Sequence, residues 1–201
     1  MGRPRLATVE VATPDRILAA AEDAFAASGL ARATLADIGA RAGISRPSLL
    51  YHFPTKEALY AEVVQRTFRR LGAVLAEAIA VEAPFPARVE RLVRAFAAFL
   101  DGAPNHARIV VRELLEDDGP GAAIVRDEVA PLLDAVVAFI TLEGGPWLRL
   151  ELDVRAAVLQ VVSDVFLRNA SGALRESVWG PRRGPDETWA LARALFHEEA
   201  R

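Results

Sequence analysis

Apolar residues recur at helical spacing along almost the whole chain, and this periodicity restricts the possible folds more than any other feature of the sequence. Glycine and proline interrupt the pattern at short intervals, and no stretch has the alternation expected of a strand. Each amphipathic helix has to bury its apolar face against another element. We therefore expect an all-α protein.

Two short helices joined by a tight glycine turn are predicted near the N-terminus. Thr34 is a favourable N-cap with Asp37 three residues later, in the manner of a capping box, and Gly43 breaks the helix. Ser45 caps the next helix, which has Pro47 in its first turn. Together with an amphipathic helix that precedes them, these segments predict a three-helix module containing a helix-turn-helix.

The second of these short helices lies in the stretch Gly43–Lys56, GISRPSLLYHFPTK, which combines aromatic residues, a histidine and two cations. No acidic residue occurs from Ile38 through Lys56, and residues 1–56 carry a net charge of +2 although the whole chain carries -3. A local basic face, and not the overall charge, decides whether a protein can bind nucleic acid. Since a helix fits the major groove, we expect Ser45–His52 to read DNA.

Individual side chains of this stretch suit different contacts. Arg46 is suited to a guanine, and Ser48 can bond to a base or to a phosphate. Tyr51 and His52, one turn later, suit contact with a phosphate or a thymine methyl group. Lys56 can bind phosphate together with the exposed N–H groups at the start of the following helix.

Two other interpretations stay open at this point. The stretch could be a structural hairpin with an aromatic core, and the chain could be a helical protein-interaction module without DNA binding. Leu49 and Phe53 are expected in the core on any of these interpretations. An enzyme is not expected, because there is no P-loop, GxGxxG or GxSxG motif and the three histidines lack metal-binding spacing. We predict no catalytic residue, cofactor or metal site.

From Ala33 to Val64 the sequence reads ATLADIGARAGISRPSLLYHFPTKEALYAEVV and resembles the tetracycline-repressor (TetR) family. The spacing from Thr34 through Gly43, then Tyr51-His52-Phe53 and Lys56-Glu57, follows the signature of that family. The resemblance covers about residues 13–65, and the rest of the chain agrees in length and in being helical. One departure is Leu50, where the family commonly has a tyrosine, so a phosphate-bonding hydroxyl is missing here.

The resemblance implies a homodimeric transcriptional regulator, usually a repressor, which a small ligand releases from its DNA operator. It also implies an N-terminal helix-turn-helix DNA-binding domain with an N-terminal arm, predicted over residues 1–56. A C-terminal helical ligand-binding and dimerisation domain is predicted over residues 57–201. The DNA-contacting positions of the family fall on Thr34, Arg46, Pro47, Ser48, Tyr51, His52 and Lys56.

A second copy of the chain is one expected partner. The helix predicted over residues 151–176 has apolar positions on more than one face, and the helix predicted over residues 186–199 adds another apolar face. Two such helices from each protomer could form a four-helix interface. The alternative is that both helices belong to the core of a single chain.

A small, mostly apolar effector is the other expected ligand, in a cavity among residues 60–175 lined by aromatic and a few polar side chains. The alternative for each aromatic residue, and the commoner case, is a core residue. Gln160, Asp164 and Arg168 form a stripe at i, i+4 spacing, either as a pocket wall or as a solvated ion-paired stripe. The candidate ligand-binding residues are Phe96, Phe99, Phe139, Trp147 and Phe166.

The chain contains no cysteine, which excludes disulfides and thiolate metal sites. The longest apolar stretches are broken by Arg, Asp or Glu, so we expect no membrane span, and the first residues lack the apolar core of an export signal. These features predict a cytoplasmic protein. The resemblance to the TetR family implies double-stranded DNA, a small effector and a second copy of the chain as its partners.

Overall fold

The computed structural model describes residues 13–115, 123–181 and 184–197. Helices are the only regular secondary structure within these ranges, which confirms the predicted all-α fold. The predicted N-terminal arm lies outside the described residues. The α-helices are α1 (Thr13–Arg32), α2 (Leu35–Ala42), α3 (Arg46–His52), α4 (Lys56–Ala80), α5 (Phe85–Gly102), α6 (Pro104–Leu115), α7 (Ala130–Gly144), α8 (Val154–Ala170), α9 (Arg175–Trp179) and α10 (Pro185–Phe196).

The chain divides into two compact units, Met1–Val63 and Val64–Arg201, so that the boundary falls within α4. The domain boundary predicted between residues 56 and 57 stays a prediction. In the first unit, α1, α2, α3 and the start of α4 share one apolar core. Phe25 and Tyr60 meet edge to face in this core, with ring centroids 4.9 Å apart, and both are buried. This core fixes α3 from its inner side.

In the second unit, α8 is the central helix and contacts α5, α6, α7 and α10. Val158, Val161 and Val165 lie on its inner side and are buried, while Leu159 and Leu167 on its other side are exposed. The two apolar faces predicted for this helix therefore differ in their burial. One belongs to the core of the chain, and the other is left uncovered.

The helix predicted over residues 151–176 is wrong in its extent, since α8 ends at Ala170. A 3-10 turn, Gly172–Leu174, follows it and leads into α9. Gly172 has φ +57°, a left-handed conformation that glycine adopts without the steric cost other residues incur. The chain changes direction there, and the apolar residues beyond it belong to a separate short helix.

A π-helical turn, Val125–Val129, directly precedes α7. Pro131 explains its position, because proline has no N–H to donate and its ring clashes with the carbonyl group four residues earlier in an α-helix. A widened turn accommodates this mismatch. The distortion that Pro131 imposes on the helix thus takes the form of a π turn.

The continuous helical segment Arg126–Trp147 is long and apolar enough to cross a membrane by length and composition. The expectation that no apolar stretch reaches that length is therefore wrong for this segment. Only 17% of its most apolar window is buried inside the chain. Length and composition do not distinguish a membrane span from a helix that another protein surface covers.

The last helix, α10, packs against α5 and α8. Its residues Ala192 and Phe196 are buried in this contact. Arg94 of α5 pairs with Asp186 at the start of α10 and with Glu90 at 2.8 Å, and these hydrogen bonds raise the pKa of its guanidinium. Much of the apolar face predicted for a dimer interface on this helix is therefore occupied within its own unit.

A buried ionic cluster joins α8, α9 and α10. Arg168 is only 2% exposed, donates to Thr188 at 2.7 Å, and pairs with Glu187 at 2.9 Å and with Asp164 at 3.4 Å. Arg175 approaches Glu187 at 3.7 Å. Asp164 and Arg168 of the stripe therefore form an ion pair, as one of the two interpretations has it, but Arg168 is buried and Asp164 keeps 27% of its side-chain exposure.

Replacing Arg168 should cost much more stability than replacing an exposed arginine of the same helix. Arg168→Met leaves Asp164 and Glu187 without their main partner, and we expect a loss of about 3 kcal/mol. Arg155→Met removes an exposed pair with Asp134 and should cost about 0–1 kcal/mol. Urea unfolding followed by circular dichroism measures both losses. Equal shifts of the two unfolding midpoints would contradict the large contribution to stability assigned to the ionic cluster.

Candidate nucleic-acid interface and apolar cavity

The turn between α2 and α3 is fixed by two glycines. Gly43 adopts φ 69° and ψ 33°, and its N–H donates to the carbonyl of Ala40 at 3.2 Å. The N–H of Ile44 donates to the carbonyl of Gly39 at 2.9 Å. A Cβ atom on Gly39 would lie 3.1 Å from the carbonyl oxygen of Ile44, so the turn lies tightly against α2. These contacts set the angle at which α3 leaves α2.

The predicted caps of the helix-turn-helix are confirmed. The Thr34 hydroxyl accepts from the N–H of Asp37 at 3.1 Å and donates to its carboxylate at 2.7 Å. The Ser45 hydroxyl accepts from the N–H of Ser48 at 3.3 Å, and Thr55 caps α4 in the same way at 3.0 Å. Thr34 therefore already has a partner, and a phosphate at the start of α2 would lie beside a carboxylate.

Helix α3 presents two different faces. Leu49 points inward and is fully buried, whereas Tyr51 is 85% exposed. Arg46 and Pro47 are also exposed, and Ser48 and His52 are half-buried. The rings of Tyr51 and His52 meet edge to face at 5.3 Å. The predicted DNA-contacting residues of α3 thus include the exposed ones, while the predicted core residue Leu49 is buried.

Lys56 has a structural contact that the sequence did not indicate. Its ammonium group donates to the carbonyl oxygens of Ala31 and Ala33, each at 3.2 Å. These carbonyls lie at the end of α1 and just before α2, so Lys56 holds the connection between the two helices. An ammonium has three N–H donors, so one remains for another acceptor. Lys56 lies 25 positions from Ala31 and 23 positions from Ala33 in the chain. A contact over such a separation leaves no local pattern in a sequence.

A second candidate site is an apolar cavity of ≈ 510 Å³ within the Val64–Arg201 unit. Phe96 and Phe166 line it, with ring centroids 5.8 Å apart. Most of its lining consists of leucine and valine side chains from α4, α5, α6, α7 and α8. Sequence reasoning missed these, because an aliphatic residue that lines a cavity has the same periodicity as one that fills a core.

The other three predicted ligand-binding residues lie elsewhere in the same unit. Phe99 stacks on His106 at 5.2 Å, and Trp147 stacks on His197 at 5.1 Å. Phe139 lies under the guanidinium of Arg88, 4.7 Å from its ring centroid. Each ring therefore has a partner within the protein, and none of the three lines the cavity of ≈ 510 Å³.

No group of three or more histidine, aspartate or glutamate side chains that could hold a metal ion occurs among the described residues. Gln160, Asp164 and Arg168 do not line the cavity either. The two candidate sites therefore offer surfaces for binding: an exposed helical face in the first unit and an apolar cavity in the second.

Residues 17–63 match the family model of bacterial regulatory proteins of the tetR family. The HTH-type transcriptional activator FasR of Mycolicibacterium smegmatis is 28% identical over 130 residues, which cover 65% of this chain and 59% of FasR. The HTH-type transcriptional regulator RutR of Escherichia coli strain K12 is 32% identical over 123 residues, which cover 60% of this chain and 55% of RutR. The chain thus matches less than two thirds of the length of these relatives.

The fold is similar to that of the ketosteroid transcriptional regulator KstR2 of Mycobacterium tuberculosis. The TM-score is 0.77 at 20% identity, and the match covers 97% of this chain and 100% of that one. These relatives are transcriptional regulators, and the matched segment contains the helix-turn-helix described above. The helix-turn-helix segment of this chain, residues 17–63, is thus of the tetR family of bacterial regulatory proteins.

Proposed function

We propose that this chain is a ligand-responsive repressor, which binds a palindromic or near-palindromic operator as a homodimer and leaves it when a small, mostly apolar effector binds. The observation that carries the proposal is the outward face of α3, which is exposed, free of acidic residues and held at a fixed angle by the Gly39–Gly43 turn. A repressor of this kind would act in the cytoplasm, where the operator is.

On this proposal the residues of the interface have separate roles. Arg46 reads a base, because it is exposed at the N-terminal end of α3, the end that contacts base edges in this motif. Ser48 and Pro47 contact the groove beside it. Tyr51 and His52 contact the phosphate backbone one turn later. Leu50, in place of a tyrosine, contributes no hydroxyl to this set.

The flanking residues Thr34 and Lys56 would position the protein along the DNA backbone. Thr34 directly follows Ala33 in the chain, and the ammonium group of Lys56 donates to the carbonyl oxygens of Ala31 and Ala33. The remaining N–H of Lys56 is available for a phosphate oxygen, which makes its contribution independent of sequence. Lys56 therefore serves both the fold of the first unit and the affinity for DNA.

A second copy of the chain is the proposed occupant of the uncovered side of α8 and α9. Ala156, Leu159, Ser163 and Leu167 follow one another at spacings of three or four, and all are exposed. Leu159, Ser163 and Leu167 also line the apolar cavity, so the proposed dimer surface adjoins it. Leu174 and Val178, which follow α8 in the chain, are also apolar and are each 66% exposed. A homodimer covers such a surface by placing the same patch of each protomer face to face. It also presents two α3 helices to the two halves of an operator.

The apolar cavity supplies the proposed switch. Phe96 and Phe166 are the predicted ligand-binding residues that line it. Because α4 belongs to both compact units, a ligand that favours one arrangement of its second half can change how the dimer presents α3. A coupling of about 1–3 kcal/mol would lower operator affinity by roughly 5- to 150-fold.

Arg46→Ala and Lys56→Ala should weaken DNA binding in different ways. Arg46→Ala should cost about 1–3 kcal/mol on the preferred site and relax the preference at one base position. Lys56→Ala should weaken binding to all sequences alike and lower the salt dependence of log K by about one unit. Fluorescence anisotropy with operator variants over a range of salt concentrations measures both effects. Identical behaviour of the two variants would contradict the assigned roles.

Charges on the exposed apolar residues of the 3-10 turn and of α9 should dissociate the dimer without unfolding the chain. The double variant Leu174→Asp, Val178→Asp places two carboxylates in the proposed interface, where burial of unpaired charge is unfavourable. The matched control Ala173→Asp, Ser177→Asp adds the same charge one residue away, at exposed positions. Light scattering should give a dimer for the wild type and the control and a monomer for the first variant. A wild-type monomer of 21.7 kDa would refute the dimer.

A further inference from the structure

Within the part of the chain that the structure describes, one charged side chain lines the cavity of the second unit. Among the described residues that surround its ≈ 510 Å³, Arg126 and Ser163 are the only ones with polar side chains. All other lining side chains are aliphatic or phenylalanine. A ligand that fills this space therefore meets hydrocarbon on nearly every side and a cation at one place.

The apolar lining restricts the body of the ligand. A hydroxyl or amide group buried without a hydrogen-bond partner costs free energy, and the lining offers almost no partner to such groups. Leucine and valine side chains outnumber aromatic ones, of which there are Phe68, Phe96, Phe166 and Phe196. The walls thus suit a hydrocarbon of adaptable shape better than a flat ring system that requires stacking.

The position of Arg126 restricts the end of the ligand. This residue lies in the π turn Val125–Val129, and its side chain is exposed as well as lining the cavity. Asp127 and Glu128 of the same turn do not line the cavity. A guanidinium pairs with a carboxylate through two parallel hydrogen bonds, which a neutral hydroxyl cannot reproduce. The polar end of the ligand would thus remain near water while its chain is buried.

We propose that the effector is an amphiphile with a single anionic end, a carboxylate on a long hydrocarbon chain, and that Arg126 is its anion-binding residue. This inference rests on the proposed function and specifies its effector class. Ser163 can donate one further hydrogen bond at the cavity wall. The hydrocarbon chain of the ligand is held by apolar burial alone. The affinity of the protein for the ligand therefore increases with the length of that hydrocarbon chain until the cavity is full.

The test is isothermal titration calorimetry of the full chain with octanoate, decanoate, dodecanoate and tetradecanoate, below their micelle-forming concentrations. Each added methylene should tighten binding by about fourfold, which corresponds to ~0.8 kcal/mol of apolar burial. The alcohol with the same chain as dodecanoate should bind about tenfold or more weakly, because it lacks the charge-assisted hydrogen bonds. Arg126→Gln should abolish this difference and leave the affinity for the alcohol unchanged.

Arg91→Gln is the matched control, since Arg91 is exposed on α5 and does not line the cavity. It should preserve the preference for carboxylate over alcohol. Equal binding of carboxylate and alcohol to the wild type would overturn the role of Arg126. Affinity that does not change with chain length would overturn the hydrocarbon assignment. Tighter binding of a fused-ring carboxylic acid with the same number of carbons would overturn the choice of a flexible chain.

Operator binding measured with the same compounds separates this inference from the repressor proposal. Carboxylates could bind with the expected chain-length dependence and leave the operator affinity unchanged. That result would refute their role as effectors but not the assignment of the binding site. If a neutral apolar compound releases the operator and carboxylates do not bind, the site assignment fails and the ligand-responsive repressor stands.

Discussion

The burial of one side of α8 is the interaction around which the second unit is organised. Val158, Val161 and Val165 are inaccessible because α5, α6, α7 and α10 surround that side of the helix. The buried charges of Arg168 continue the same side toward α9 and α10. Since these contacts fix α8, its remaining surfaces are presented in a defined orientation. They include the cavity lining and the uncovered apolar surface proposed to meet a second copy, which have Leu159, Ser163 and Leu167 in common.

The first unit depends on a comparable division between inner and outer faces, on a smaller scale. Leu49 fixes α3 to the core, and the Gly39–Gly43 turn fixes its direction, so the exposed side chains of α3 are held by a rigid support. Lys56 adds a tie between the start of α4 and the connection that precedes α2. A preorganised reading helix loses little conformational freedom on binding, which favours specific contacts.

The sequence predicts the first unit well and the second unit less well, for a physical reason. The caps at Thr34 and Ser45 and the break at Gly43 are interactions over three or four residues, so the residues that make them are visible together in the sequence. The contacts of Lys56 with Ala31 and of Arg168 with Glu187 join positions that are far apart in the chain, so no local sequence pattern predicts them.

The cavity illustrates the same limit. Aromatic residues were the natural candidates for its lining, yet Phe99 and Trp147 are satisfied by stacking on histidines within the chain. Aliphatic residues from five helices line the space in their place. Whether a leucine fills a core or borders a void depends on the spacing of helices, which hydrophobic periodicity does not encode.

The π turn before α7 has a geometric consequence for the cation it carries. A π turn accommodates one residue more than an α-helical turn, and each residue of an α-helix advances the side-chain direction by about 100°. Straightening this turn into regular α-helix would therefore rotate Arg126, relative to Pro131 and the helix beyond it, by roughly that angle. Among the described lining residues Arg126 is the one with a charged side chain, and the direction of that side chain is thus set by a proline five residues further along the chain.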